Sequence, residues 1–367
     1  MILAELELRN FRNYQHAVLS LSPRVNIFYG ENAQGKTNLL EAISLLSIGR
    51  SFRTKKETEL IRWEEENCYL KGIYSDQLEQ QQIEIGIALK EKKIKLNGQI
   101  CRMGDLPHIP VVIFSPDDLQ MIKGGPQLRR DFLDFYLVQM EPQYRYIYYN
   151  YYKVLQQRNK YLKDGVKDRD LMDTWDEQLI VKGAKVIKYR LSFLGQIREA
   201  VAKAHHAISG QSESIGFHYL CFQNQVFEEE GEEAALKEIF RQELKKVRNW
   251  ETERGITLVG PHRDDISFLL NHQIELRNFG SQGQQRTAVL ALKLGLVEKI
   301  TENRGVQPLI LLDDVMSEFD DARKRYLLEM LLGTAQTFLT STNRRDFPIT
   351  EGEPLFLRVA QGMVTHG

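Results

Sequence analysis

The chain has 367 residues, 42% of them hydrophobic and 27% charged, with a formal net charge of −1. That length holds two or three domains and a large core, and the near-zero charge excludes a global field drawing the chain to nucleic acid, so any such binding must come from local patches. Cys68, Cys101 and Cys221 lie far apart with no Cys/His cluster beside them, which argues against a disulfide framework or a zinc site.

The N-terminus carries acid early, unlike a signal peptide, and no apolar run reaches the length of a membrane span, so the sequence reads as soluble and cytoplasmic with no membrane partner. Residues 3–8 alternate, with Glu5 and Glu7 between leucines, the pattern of a half-exposed strand; Phe11-Arg12-Asn13-Tyr14 then turns the chain toward a hairpin partner at 17–21. The apolar run 25–29 predicts a buried strand. Directly after it, Gly30, Glu31, Asn32, Ala33, Gln34, Gly35, Lys36 and Thr37 fit G-x-x-x-x-G-K-[ST], and 38–46 reads as a helix with Leu39, Ile43 and Leu46 on one face. Strand, glycine loop and helix N-terminus is the context that the phosphate-binding P-loop needs. Its backbone N–H groups close around phosphate oxygens, Lys36 reaches the β- and γ-phosphates, and the Thr37 hydroxyl takes a place on Mg²⁺. A nucleoside triphosphate is the expected ligand.

Arg50, Arg53, Lys55 and Lys56 follow, a basic stretch with one aromatic, either a candidate DNA-binding surface or a solvated loop. Residues 68–74, 82–89 and 92–96 predict a small antiparallel sheet with a turn at Asn97-Gly98, and 111–114 a buried strand. From 127 to about 208 helix signals dominate, with tyrosines massed between 144 and 152. Arg129, Arg130, Arg145, Lys153, Arg158, Lys160, Lys182, Lys185 and Lys188 make this region a second candidate phosphate-tracking surface, set against the plainer reading of a solvated helix face over a tyrosine core. A strand at 214–222 and a charged helix at 232–250 come next. Strands at 257–259 and 266–270 flank Gly260-Pro261-His262-Arg263-Asp264-Asp265, a loop dense in groups that could contact a ligand. Ser281 is a good N-cap for a long helix at 282–303. The apolar run 309–312 ends in Asp313 and Asp314, the Walker B pattern: Asp313 would hold Mg²⁺, and Asp314 would sit where a base orients the attacking water, so Asp314 and Lys36 are the catalytic candidates. The layout is two α/β blocks, 1–126 and 252–367, around a mainly helical lobe at 127–251.

With those motifs in order, the chain resembles ABC-type ATPases of the SMC family. Ser281-Gln282-Gly283-Gln284 is similar to the signature motif, with Gln282 where that motif has its first glycine, and Ser317-Glu318-Phe319-Asp320 to the D-loop. Leu8 to Tyr14, Ser51 to Thr54, Gly260 to Asp265 and Ser281 to Thr287 narrow the resemblance to the RecF family, over essentially the whole chain. The resemblance implies an α/β ABC-type ATPase head with an inserted helical lobe, ATP and Mg²⁺ as cofactors, and a homodimer formed on ATP. Ser281, Gly283 and Gln284 of one copy would contact the γ-phosphate held by Lys36 of the other. It further implies DNA as partner, at single-strand/double-strand junctions or gaps, with RecO and RecR in recombinase loading, repair, replication restart and the SOS response. Three departures point to slow hydrolysis that times dimer dissociation: Thr342 stands where a switch histidine is usual, Ser115 near the Q-loop glutamine, and Asp314 for the catalytic glutamate. An ABC-type subunit with a non-DNA partner, such as a transporter, and a small-molecule kinase are the alternatives. The early 8–14 pattern and long insertion speak against the first, and the 281–286 and 317–320 segments against the second.

Overall fold

The computed structural model describes residues 1–76, 79–166, 168–210, 213–222, 225–227, 232–318, 320, 323–324, 326–327, 329, 335–344 and 354–366. From the N-terminus, β1 (Ile2–Phe11), β2 (Tyr14–Ser20) and β3 (Val25–Tyr29) lead to α1 (Lys36–Ile48), followed by β4 (Asn67–Ser75), β5 (Gln80–Ala88), β6 (Lys92–Leu96), β7 (Gln99–Ile100) and β8 (Val111–Phe114). A helical run comes next: α2 (Leu119–Lys123), α3 (Pro126–Met140), α4 (Pro142–Lys163) and α5 (Arg169–Ile208). Then follow β9 (Ile215–Cys221), β10 (Gln225–Phe227), α6 (Glu233–Arg254), β11 (Asp265–Leu270), β12 (Ile274–Glu275), α7 (Leu276–Phe279) and α8 (Gln282–Arg304). The last described strands are β13 (Leu309–Leu312), β14 (Thr337–Ser341), β15 (Leu355–Ala360) and β16 (Met363–His366).

The chain packs as two compact units, Met1–Pro116 with Ile300–Gly367, and Asp117–Lys299. In the first, one sheet has the order β16-β15-β3-β14-β13-β8, with parallel pairing from β15 through β8. β8, β13 and β14 are buried along their whole length, as strands of a sheet covered on both faces should be, and β8 and β13 are continuous apolar runs. The second sheet, β2-β1-β4-β5-β6-β7, is antiparallel and alternates, so β4 and β5 bury every second side chain. Asn97 and Gly98, at φ 50° and 80°, close the β6–β7 hairpin in the left-handed conformation that a two-residue turn requires. α1 packs against β4 and β5 of this sheet and against β8 and β14 of the other. Contact on two sides buries nearly the whole helix, Glu41 included, rather than the single face that the spacing predicts.

The second unit sets α3 to α6 around the antiparallel sheet β10-β9-β11-β12. Pro126 begins α3 at its first turn, where a missing N–H costs nothing. The core is apolar but threaded by buried ion pairs. Arg190 meets Asp134 at 2.9 Å, Arg158 meets Glu251 at 2.6 Å, and Arg129 meets Asp265 at 2.5 Å. Four readings change here. Arg129, Arg130 and Arg158 are buried and paired inside the fold, so they leave the candidate phosphate-tracking surface. Of the tyrosines, Tyr144 and Tyr151 are core residues, whereas Tyr146 and Tyr149 face solvent. Residues 257–259 form no strand: the Thr257 N–H and hydroxyl are taken by the Asn159 side chain, and Leu258 N–H by Glu251, in place of a ladder. The 260–265 loop also braces the interior, although Arg263 within it is exposed. Its Asp264 accepts from the Tyr219 hydroxyl at 2.6 Å, and Arg190 donates to Pro261 O at 2.7 Å.

Candidate nucleotide-binding site

β3 delivers the P-loop to the carboxyl edge of the parallel sheet, where α/β folds place ligands. Gly35 stands at φ 115°, and a Cβ there would meet the Asn13 side chain at 2.5 Å. A Cβ on Gly30 would lie 2.2 Å from Val359 O, so the loop can pass β15 only as glycine. No side chain caps the start of α1, the arrangement that leaves backbone N–H groups for an anion. Lys36 Nζ donates to Gly30 O at 2.6 Å and Glu31 O at 2.7 Å, folded back over its own loop. Burial lowers the lysine pKa, and the carboxylates of Asp314 and Asp313 oppose that shift. Beside the loop a cleft of about 560 Å³ opens between β3, β14 and β15, lined by Glu31, Gln34, Thr342, Arg344 and Arg358 among others.

The Walker B strand β13 pairs with β14, which pairs with β3, and this register brings residues 276 positions apart together. Thr37 Oγ1 donates to Asp313 Oδ1 at 2.7 Å. Thr340, at the end of β14, donates to the same oxygen at 3.0 Å and accepts the Asp314 N–H at 2.8 Å. Burial raises the Asp313 pKa, while the Thr37 and Thr340 hydrogen bonds pull it down. Hydroxyl and carboxylate oxygen this close fit a small hard cation that takes its other positions from water and phosphate. Among the described residues no cluster of three His, Cys, Asp or Glu exists that would hold a metal without such help. Asp314 follows at φ 49°, a strained left-handed conformation that turns the chain sharply after the strand.

The β1–β2 turn is part of this site, which its reading as a simple turn missed. Asn13 Nδ2 donates to Gln34 O at 2.8 Å, its Oδ1 accepts from Asn38 at 2.8 Å, and the Tyr14 hydroxyl donates to Gly35 O at 3.0 Å. Behind the loop, the fully buried Glu41 accepts from Arg12 at 2.7 and 2.8 Å, from the Ser51 hydroxyl at 2.5 Å, and from Arg53 at 3.5 Å. Arg53 also donates to Asn38 at 2.8 Å. Arg50, Arg53, Lys55 and Lys56 are exposed in the same unit as the P-loop, with Lys56 near Glu59 at 3.9 Å. A signal for the clamp was present in the sequence: a lone acid, Glu41, inside an apolar helix needs a cation, and Arg12 and Arg53 are candidates.

The signature residues lie in the second unit. Ser281 and Gln284 form a reciprocal capping pair at the start of α8, Gln284 N to Ser281 Oγ at 3.2 Å and Ser281 N to Gln284 Oε1 at 2.8 Å. Gln284 Nε2 donates to Glu213 at 2.6 Å. Glu213 carries no motif and escaped sequence reading. In the D-loop segment, Ser317 and Glu318 belong to a single 3-10 turn, and Phe319 lies outside the described residues.

The profile of the RecF/RecN/SMC N-terminal domain matches residues 2–351. The DNA replication and repair protein RecF of Bacillus mycoides is 41% identical over 349 residues, covering 94% of this chain and 92% of that protein. The protein of the same name from Natranaerobius thermophilus is 42% identical over 360 residues, covering 95% and 92%. A solved structure of the recombination mediator protein RecF with ATPrS, of the RecFOR pathway, superposes with a TM-score of 0.90 at 39% identity, covering 99% of this chain and 97% of that one. An Smc head bound to the C-winged helix domain of ScpA matches at a TM-score of 0.55 and 14% identity, covering 100% and 98%. The fold is the ABC-type ATPase head, with parallel and antiparallel sheets and a mainly helical lobe.

Proposed function

The chain belongs to the RecF family within the RecF/RecN/SMC N-terminal domain proteins, and on that premise we propose that it is an ATP-dependent DNA-binding protein of recombinational repair and replication. The observation that supports the reading is the 2.7 Å approach of Thr37 to Asp313 at the mouth of the P-loop, which brings together the two distant segments that would hold Mg²⁺ and nucleotide. A triphosphate entering the loop draws Lys36 off the Gly30 and Glu31 carbonyls and onto its β- and γ-phosphates. Mg²⁺, held by Thr37 and Asp313, would neutralise phosphate charge. Asp314 accepts a hydrogen bond from the attacking water.

The terminal phosphate is completed by a second copy, whose Ser281, Gly283 and Gln284 face it across the dimer. ATP then acts as glue, because it contributes contacts to both copies while ADP lacks the bridging phosphate. Two copies also set two basic segments, Arg50 to Lys56, side by side, which raises affinity for DNA through effective concentration. The target is a single-strand/double-strand junction or gap, where the dimer assists RecO and RecR in loading recombinase, supporting the SOS response and replication restart. Hydrolysis is slow, since Thr342, Ser115 and the short Asp314 replace the usual positioning groups, and it sets the lifetime of the dimer.

The test is the oligomeric state by sedimentation, with ATP or ADP and with gapped DNA, for the wild type, Ser281→Arg and Lys36→Met. Dimers are expected only for the wild type with ATP, and gapped DNA should favour them. A wild type that stays monomeric with ATP, or that binds gapped DNA equally well without nucleotide, sinks the reading.

A further inference from the structure

Three groups meet at the start of α8. The Gln284 amide nitrogen donates to Glu213 at 2.6 Å, and its oxygen accepts the Ser281 N–H at 2.8 Å. The Gln284 N–H returns to Ser281 Oγ at 3.2 Å. This amide cannot be turned over. A carboxylate only accepts and a backbone N–H only donates, so the nitrogen has to face Glu213 and the oxygen Ser281. Glu213 is itself held, because its carbonyl lies 3.3 Å from His205 Nδ1 and accepts from the Ser209 hydroxyl at 3.4 Å, both at the end of α5. The next residue, Ser214, donates its N–H to Asn271 Oδ1 at 2.9 Å, which fixes the segment from the other side.

Both ends of the Gln284 amide are therefore used within the chain. Ser281 Oγ accepts from Gln284 and keeps its own proton, on a residue that is exposed. We propose that Glu213 is the positioning residue of the signature turn: it orients Gln284, Gln284 clamps Ser281, and the Ser281 hydroxyl is what the turn offers to the terminal phosphate on a second copy. The inference rests on the ATP-bridged dimer above and changes one assignment within it. Gln284 shapes the turn and does not itself touch the phosphate. The chemistry is that of a carboxylate fixing the tautomer or rotamer of a group that in turn fixes a hydroxyl.

The test exchanges the partners. Glu213→Ala frees the amide and should weaken ATP-driven dimerisation by about tenfold or more, with nucleotide binding by the monomer unchanged. Gln284→Glu sets two acids against each other and should do the same. In the double variant Glu213→Gln with Gln284→Glu, the new glutamine donates to the new carboxylate, which still accepts the Ser281 N–H. It should recover about tenfold in dimer affinity over Gln284→Glu alone. Were Gln284 a direct phosphate ligand, the double variant would be as defective as Gln284→Glu, and that result overturns the proposal. So does a Glu213→Ala protein that dimerises like the wild type. Hydrogen exchange of the peptide 280–285 in the nucleotide-free monomer gives a readout that needs no dimer: Glu213→Ala should speed it and the exchanged pair restore it. Unchanged exchange overturns the positioning role, whereas a wild type that fails to dimerise with intact exchange behaviour condemns only the dimer reading.

Discussion

His262 and Asp264 are two residues apart and titrate in opposite senses. The His262 ring is neutral: Nε2–H faces Thr257 O at 3.1 Å, and Nδ1 accepts from the Tyr151 hydroxyl at 2.6 Å. Burial pushes its pKa down to about 3. Burial likewise pushes Asp264 up to about 6, against the Tyr219 hydrogen bond and the Arg190 and Arg130 charges. A histidine with a depressed folded pKa contributes stability above its unfolded value, and this is lost as pH falls toward the folded one. A carboxyl with a raised folded pKa does the reverse, losing stability as pH rises from about 4 to about 6. Each slope approaches about 1.4 kcal/mol per pH unit, so between pH 4 and 6 they offset each other. Urea midpoints at pH 4.5 and 6 should therefore separate the pair. Asp264→Asn leaves a protein whose stability, relative to the wild type, rises with pH. His262→Gln, which can keep both hydrogen bonds, leaves one whose relative stability falls. Parallel pH profiles for the two variants would refute the assignment.

At the scale of elements, the P-loop depends on a clamp from outside its own strand and helix. The β1–β2 turn reaches Gln34 and Asn38 through Asn13, while Arg12 beside it and Arg53 from the basic segment share the carboxylate of Glu41 in α1. Removing one partner of a buried pair costs more than the pair contributes, because the other charge stays behind. Arg12 keeps 19% of its side-chain surface exposed, which softens the loss. Glu41→Ala should destabilise the protein by about 3 kcal/mol and lower ATP affinity, since the turn that braces Gly35 is released. Glu41→Gln keeps an accepting oxygen and should lose less. Thermal melts with and without ATP check both, and a Glu41→Ala protein with wild-type nucleotide affinity would show that the clamp does not support the loop.

At the scale of the whole molecule, the phosphate loop and the signature turn belong to different compact units of one chain. If the signature meets nucleotide only in a second copy, the two should respond differently to concentration. Hydrogen exchange at fixed saturating ATP should show protection of 30–37 at any protein concentration. Protection of 281–284 should appear only as concentration rises through the dimer constant. Lys36→Met should remove both effects and Ser281→Arg the second alone. Concentration-independent protection at 281–284 would mean that the signature responds within a single chain.

Local chemistry settled much of this in advance. The P-loop, the Walker B acids and the long helices at 126–208 and 282–304 were legible because each needs a fixed spacing of residue types along one stretch of chain. The Asn97-Gly98 turn was legible for the same reason. Other features were hidden because their partners lie far off in sequence. The spacing of 38–46 shows one covered face and not the second sheet that encloses Glu41 with α1, and Arg129, Arg130 and Arg158 read as a basic face until Asp265, Asp264 and Glu251 fold against them. Residues 257–259 have the composition of a strand, but side chains of Asn159 and Glu251 reach their backbone first. Residue spacing alone pointed to Gly30–Thr37 as the loop to hold phosphate. Tertiary packing decided what holds that loop in shape, because the cost of burying a charge is met only by a partner that the fold brings to it.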